Sequence, residues 1–357
     1  MKYRHLFILS VLLIVALPVK AKSFNGLFGD ITAIDASDRP LTEDSLSGVL
    51  DFYLVHEFNN HLSGLLEFVY ENSAVDTKTD LERFSLKYSF HQRFNLAIGR
   101  FHTPLGNINR AQHHGTFLQE MVTRPFFLEY HKSNSTLPLH VVGFMADGMF
   151  RRNSLNIAYE STLHSNQAVN QESNQSGLIF IKLDPNDNLS GSINPGFSSR
   201  IRVFPDQKNW QVAAFIYQNE TEFDLNNLRN LLDETIVGLD FQYTHEQWKL
   251  MAEFFHIRHD YHQTSNRFGA TAYFLQAGYR YSDKIGLHYR YAFMHIDEND
   301  PYYGLTILKD QHRNSVAIRY ELNEYNALKL ELEYLVHENS SIENITSIGT
   351  QWSFLFH

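Results

Sequence analysis

A chain of 357 residues with 28 Phe, 19 Tyr, a formal charge of -10 and a mean hydropathy of -0.33 is not composed like an ordinary soluble domain. Abundant aromatics under a polar average are what alternating strands with one apolar face produce. The absence of cysteine excludes disulfide frameworks, thiolate metal sites and an acylated N-terminal cysteine, and mild acidity without a basic block argues against nucleic acid as a partner.

The first residues read as a targeting segment. Lys2 and Arg4 precede an apolar run from Leu6 to Leu17, and Val19-Lys20-Ala21 places small residues where a signal peptidase reads. This predicts a signal peptide over 1–21 and a mature chain over 22–357. The run is about twelve residues long, whereas a spanning helix needs about twenty, and no later segment comes closer. A membrane-embedded mature chain must then be a β-barrel.

From there the pattern has period two. Leu50, Phe52 and Leu54 oppose Asp51; Phe84, Leu86, Tyr88 and Phe90 oppose Arg83 and Lys87. Further on, Trp248, Leu250, Ala252 and Phe254 oppose Lys249 and Glu253, and Leu328, Leu330, Leu332 and Tyr334 oppose Lys329, Glu331 and Glu333. Strands are predicted at 24–36, 45–58, 62–72, 80–90, 92–101, 137–150, 153–162, 194–204, 209–220, 235–246, 247–258, 268–281, 284–295, 313–324, 327–338 and 347–357. The segment Gly177 to Asp184 (GLIFIKLD) is a further strand candidate. Short and long links alternate between these strands without exception. That is the signature of a single-domain, all-β, transmembrane antiparallel barrel of about sixteen strands, with short periplasmic turns and long outer loops.

Nine basic side chains (Arg83, Lys87, Arg200, Arg202, Lys249, Arg280, Arg290, Arg319, Lys329) face nine acidic ones (Asp51, Glu57, Glu67, Glu160, Asp240, Glu253, Glu321, Glu331, Glu333) on the non-lipid faces. Charges repeated over most strands predict a watery lumen in place of a packed apolar core. The longest non-alternating stretch, 102–136, is the third outer loop. It brings Arg100, Arg110 and Arg124 against Glu120 and Glu129, with corners at Pro104, Gly106, Pro125 and Pro138. Opposed charge rows in a loop held against the wall create a transverse field that favours polar solutes; the alternative is that these charges pair with each other or with the barrel wall and merely pin the loop.

His102, His113, His114, His131 and His140 cluster in the same stretch. Adjacent His113 and His114 would point apart in a strand, and no Asp or Cys accompanies them at ligand spacing, so neither a metal site nor a cofactor is expected. Protonation of these imidazoles, with an ordinary pKa of about 6.5, would change ion preference between pH 7 and 5.

The final residues, QWSFLFH, resemble the aromatic-ended last strand of outer-membrane proteins, with His357 following Phe356. Together with GRFHTPLGNIN, HHG, RP and LPLHVVG between Gly99 and Gly143, the chain resembles a Gram-negative outer-membrane porin. The resemblance is to the sixteen-stranded class, in the neighbourhood of the phosphate-selective porins and of porin-like proteins without an assigned solute. It implies a third loop folded into the lumen, passive diffusion of small hydrophilic solutes or ions, contact with membrane lipid and lipopolysaccharide, a homotrimer and no enzymatic activity. Constriction residues would be Arg100, His102, Arg110, His113, His114, Glu120, Arg124 and Glu129; lumen-lining residues would be Arg83, Lys87, Arg280, Arg290, Arg319, Glu331 and Glu333. Two other readings stay open. His131-Lys132-Ser133-Asn134 resembles the His-x-Ser-Asn pattern of outer-membrane phospholipases, with Ser135 where a Gly is usual. A non-conducting structural or adhesive barrel would show an apolar or blocked lumen.

Overall fold

A computed structural model describes residues 22–38, 46–73, 77–113, 116–128, 137–165, 167–173, 179–184, 195–225, 228–264, 266–304, 306, 308–338 and 342–356. Segment 1–21, where a signal peptide is predicted, and His114, Glu129, the His131–Asn134 motif and His357 lie outside the described residues.

Eighteen strands run in chain order: β1 (Lys22–Ala36), β2 (Leu46–Glu57), β3 (Leu62–Ser73), β4 (Thr77–His91), β5 (Phe94–His102), β6 (His140–Arg152), β7 (Leu155–His164), β8 (Gln167–Ser173), β9 (Ile179–Asp184), β10 (Gly196–Pro205), β11 (Trp210–Leu225), β12 (Leu228–His245), β13 (Trp248–Tyr261), β14 (Arg267–Arg280), β15 (Ile285–Ile296), β16 (Gln311–Asn323), β17 (Asn326–His337) and β18 (Ile345–Phe356). Each pairs antiparallel with its sequence neighbour except at one point, where β7 pairs directly with β10. The ring closes through β1 and β18, from Leu27 opposite Phe356 to Ala36 opposite Ser347. The intervening β8 and β9 form a hairpin outside the ring, touching β11 over only two register pairs. Removing two strands from eighteen leaves a closed sixteen-stranded barrel. GLIFIKLD is therefore partly a strand, β9, but not a wall strand.

The alternation is inside-out relative to a soluble fold. On β17, Leu328, Leu330, Leu332 and Tyr334 are exposed while Lys329, Glu331 and Glu333 are buried. The same inversion runs through β16, with Val316, Ile318 and Tyr320 outside and Ser315, Ala317 and Arg319 inside. A sheet that presents an apolar band outward is stable only where hydrocarbon meets it. Trp248, Tyr281 and Trp352 sit exposed on the outer surface at or near strand ends, where amphipathic rings suit an interface.

Tight turns close one end. Asn153, Lys208 and Glu246 adopt positive φ of 56, 52 and 52°, as hairpin turns that match strand twist require. Two-residue connections follow between Arg152 and Leu155 and between His245 and Trp248.

Inside, the structure corrects one expectation. The lumen is not uniformly watery. A buried apolar cluster occupies it, built from inward residues of β11–β15 such as Phe215, Ile236, Phe255 and Phe274. The cluster also takes in Leu105, Ile108, Phe126, Phe127 and Leu128 from the third loop, and Tyr302, Tyr303 and Leu308 from the loop after β15. Side chains alone would not fill sixteen strands, but folded-in loop backbone does.

Candidate functional site

The third loop runs from the end of β5 to the start of β6, and the structure describes most of it. Its root is fixed first. Thr103 N–H donates to Leu139 O at 2.8 Å, joining the two ends. The turn through Pro104 reaches Gly106, whose φ of 66° is left-handed; a Cβ there would lie 2.2 Å from Glu253 Oε2, so only glycine fits. A short helix, Asn107–Ala111, follows. Its first backbone N–H groups, from Asn107 and Ile108, donate to Glu253 Oε1 on β13 at 2.9 and 2.7 Å. The carboxylate thus satisfies helix donors that would otherwise be orphaned.

Charged wall residues then grip the loop backbone. Arg290 donates to Thr123 O and Oγ1 at 2.9 and 2.8 Å, and Glu331 accepts from Val122 N and Thr123 N at 2.5 and 3.0 Å. Arg319 donates to Phe117 O and Gln119 O at 2.6 and 2.7 Å, and Lys329 to Thr116 O at 2.5 Å. Glu333 takes Thr123 Oγ1 at 2.6 Å and sits 3.2 Å from Arg313 Nε. Residues expected to line open water on β15, β16 and β17 therefore hold the loop. The reason is chemical: loop carbonyls and amides need partners once water is excluded, and the wall supplies them.

The opposite side differs. Arg110, on the loop helix, donates to Glu160 Oε2 on β7 at 2.6 Å. Across β3–β6, Arg83 pairs with Glu67, and Lys87 sits 2.7 Å from Asp147 Oδ1. Side chains here keep contact with solvent: Lys87 is 34% exposed, Arg83 27% and Arg110 20%, against 2% for Arg290. They border a cavity of about 190 Å³ with Ser63, Ser85 and His102. Arg280 lies at the exposed short-turn end of β14, bordering a separate cavity of about 330 Å³ with Glu120, Lys249 and Arg319. Burial disfavours the Glu120 carboxylate, yet Lys249 Nζ at 2.6 Å overcomes this and holds its pKa below the usual carboxylate range. On Arg110, burial disfavours the charge and Glu160 more than restores it, raising its pKa.

Of the expected constriction residues, the loop's Arg110, His113, Glu120 and Arg124 all bond to wall or loop. Arg124 donates to His113 O, while Arg100 of β5 is buried, with its Nε on Glu82 O at 3.0 Å. His102, His113 and His140 meet, with ring centroids 4.4 to 5.2 Å apart, and a carboxylate absent from the sequence-based site, Glu82, joins them. The signal for Glu82 is hidden by a β-bulge. The β3–β4 register runs Glu67 opposite Arg83 and then Phe68 opposite Leu81, skipping Glu82. Strict alternation would place Glu82 on the lipid face with Phe84; the extra residue releases it to a fully buried position.

A second buried network clamps the loop after β15. His259 lies between Asp300 Oδ2, at 2.8 Å, and Glu234 Oε1, at 3.4 Å, and Tyr261 O–H donates to Asp300 Oδ1 at 2.5 Å. Tyr302 N–H donates to Asp300 Oδ1 at 3.0 Å, which ties the short helix Pro301–Gly304 into the network. The arrangement tethers the loop to the inner wall.

No protein-family model matches the chain, and no curated protein matches it in sequence. Solved structures do match in fold. The anion-selective porin of Comamonas acidovorans superposes with a TM-score of 0.62 at 12% identity, over 94% of this chain and 100% of that one. The outer-membrane channel DcaP of Acinetobacter baumannii gives 0.60 at 12% identity, over 94% and 97%. OmpT of Vibrio cholerae, in a trimer form, gives 0.58 at 11% identity, over 94% and 99%. The fold is that of the outer-membrane porins.

Proposed function

We propose that this chain is an outer-membrane pore through which small hydrophilic solutes or ions diffuse, with the third loop as its constriction. The passage runs along the β3–β7 side of the lumen. The carrying observation is the split in how the interior charges are used: those on β15–β17 are buried on loop backbone, whereas Arg83, Lys87 and Arg110 keep solvent contact beside a cavity of about 190 Å³, with Glu160 paired to Arg110. A wet corridor edged by fixed charges passes polar solutes and discriminates among ions. The likeness in fold to an anion-selective porin and to an outer-membrane channel supports the reading, and the trimer form of a third neighbour supports assembly as a homotrimer. The apolar exterior implies contact with membrane lipid and, in an outer leaflet, with lipopolysaccharide.

The test is single-channel recording of refolded protein in planar bilayers. Stable current steps that shrink when polyethylene glycols small enough to enter the pore are added support diffusion through the lumen. A silent barrel that shows the heat-modifiable mobility of a folded one contradicts it. The buried apolar cluster favours a second reading, a plugged structural barrel, and silence would move that reading to the front.

A further inference from the structure

Among the described residues, Glu82, His102, His113 and His140 bring one ligand atom each to within 4.8 Å of one another. All four are buried, at 0, 4, 2 and 2% exposure, deep enough to rule out a loose surface cluster. Glu82 Oε2 lies 2.5 Å from His140 Nε2 and 3.7 Å from His113 Nε2. We infer that these side chains form a four-donor site for a divalent first-row transition cation, zinc foremost, which clips both ends of the third loop to the barrel wall.

Three features carry this. The first is the donor set: three imidazoles and one carboxylate are what zinc takes, in a tetrahedral shell whose donors stand about 3.3 Å apart. A span of 4.8 Å needs only small side-chain rotations to close to that spacing. The second is orientation. Asn109 Nδ2 donates to Thr103 O at 2.8 Å and to Leu139 O at 3.3 Å, so its amide nitrogen is fixed by two carbonyls and Oδ1 must be the atom that faces His113. Oδ1 can only accept, so His113 Nδ1, at 2.9 Å, carries the proton. The lone pair of the neutral ring is therefore on Nε2, the nitrogen that faces Glu82. A ring fixed through its other nitrogen is the usual support for a metal-bound histidine.

The third is His102. Neither of its ring nitrogens has a hydrogen-bond partner among the described residues, although the side chain is 96% buried. A buried imidazole left this way costs free energy that a metal bond offsets. Nearby cations have their own partners: Arg83 is on Glu67, Arg110 on Glu160, Arg124 on the His113 carbonyl, and Arg100 on the Glu82 carbonyl with Asp80 3.9 Å away.

The topology gives the site a purpose. His102 ends β5, His140 opens β6 directly opposite it, His113 follows the loop helix, and Glu82 comes from the bulge in β4. A cation there joins both roots of the loop, its first turn and the wall. The ligand atoms come from four separate places in the chain, so the site forms only when the loop is seated.

The experiment loads the refolded, detergent-solubilised full barrel with zinc, desalts it and measures zinc per chain, with the melting midpoint as a second readout. The expected result is one zinc per chain, a midpoint that falls on chelation and recovers with zinc, and visible absorption typical of four-coordinate cobalt when cobalt(II) replaces it. His113→Gln and Glu82→Gln should each weaken binding at least tenfold. His262→Ala, at the exposed Glu220, Asp233 and His262 group, should leave it unchanged. Because His113 lies in the loop and outside the wall strands, His113→Gln decides the matter even if Glu82→Gln does not fold. No retained zinc, or zinc retained equally by His113→Gln, would overturn the site and leave an ion-paired Glu82–His140 tether. None of these readouts depends on whether the barrel conducts.

Discussion

The two halves of the lumen use the same residue types for opposite ends. On β15–β17, Arg290, Arg319, Lys329, Glu331 and Glu333 are buried against the third loop, while β11–β15 press Phe215, Phe255 and Phe274 onto its apolar side chains. On β3–β7, Arg83 pairs with Glu67, Lys87 with Asp147 and Glu160 with Arg110, and the three cations keep contact with solvent. A charge inside a barrel is therefore not a sign of water by itself. What decides is whether its partner is sealed loop backbone or another charged side chain that keeps contact with solvent.

The sealed half should yield the largest effects. Arg290→Ala removes the guanidinium that holds Thr123 and faces Glu331 and Glu333, leaving two carboxylates buried without it. Breaking such a network costs about 3–5 kcal/mol, and the urea midpoint of the vesicle-folded barrel should fall accordingly. An unchanged midpoint would mean this half is not sealed. Next comes Phe127→Ala, which opens a cavity between loop and wall where Phe127 now packs on Phe255 at 5.8 Å between centroids. A loss of about 3 kcal/mol is expected, with larger or noisier current steps as the loop loosens.

The wet half should respond in selectivity before stability. Arg110→Ala deletes a positive charge and frees Glu160, so the reversal potential under a salt gradient should move toward cation preference. The midpoint should change by about 1 kcal/mol or less, because the pair keeps solvent contact. The smallest effect concerns pH. The Glu120 pKa is held below its ordinary 4.5, so its contribution is fully present above that value and is lost only as pH falls through the lowered pKa. The stability gap between wild type and Glu120→Gln should therefore stay constant from pH 7 to 5 and narrow only in stronger acid. A gap that already closes between pH 7 and 5 would contradict the Lys249 contact.

Much of the fold was legible because the lipid face imposes period two, and a strand such as β17 shows it in every residue from Leu328 to Tyr334. The third loop stood out because it broke that period. Three things were not legible. Glu82 was hidden by a single-residue bulge, which shifts a side chain between faces without any compositional mark. Contacts such as Arg319 to Phe117 O span about two hundred residues and leave no local pattern. The tyrosines of Pro301–Gly304 read as ordinary loop residues, and it is the Asp300–His259 clamp together with the apolar cluster in the lumen that buries them. The link 163–193, in which GLIFIKLD is a strand candidate, contains the β8–β9 hairpin outside the wall, and the count of sixteen wall strands holds.

The central claim is that the passage follows the β3–β7 wall and not the β11–β15 side. The chain has no cysteine, so single cysteines report cleanly. Lys87→Cys and Ala272→Cys place one thiol on each side of the lumen, and a charged thiol reagent is added during single-channel recording. The account predicts a stepwise fall in current for Lys87→Cys and none for Ala272→Cys. Block at Ala272→Cys with silence at Lys87→Cys would contradict it.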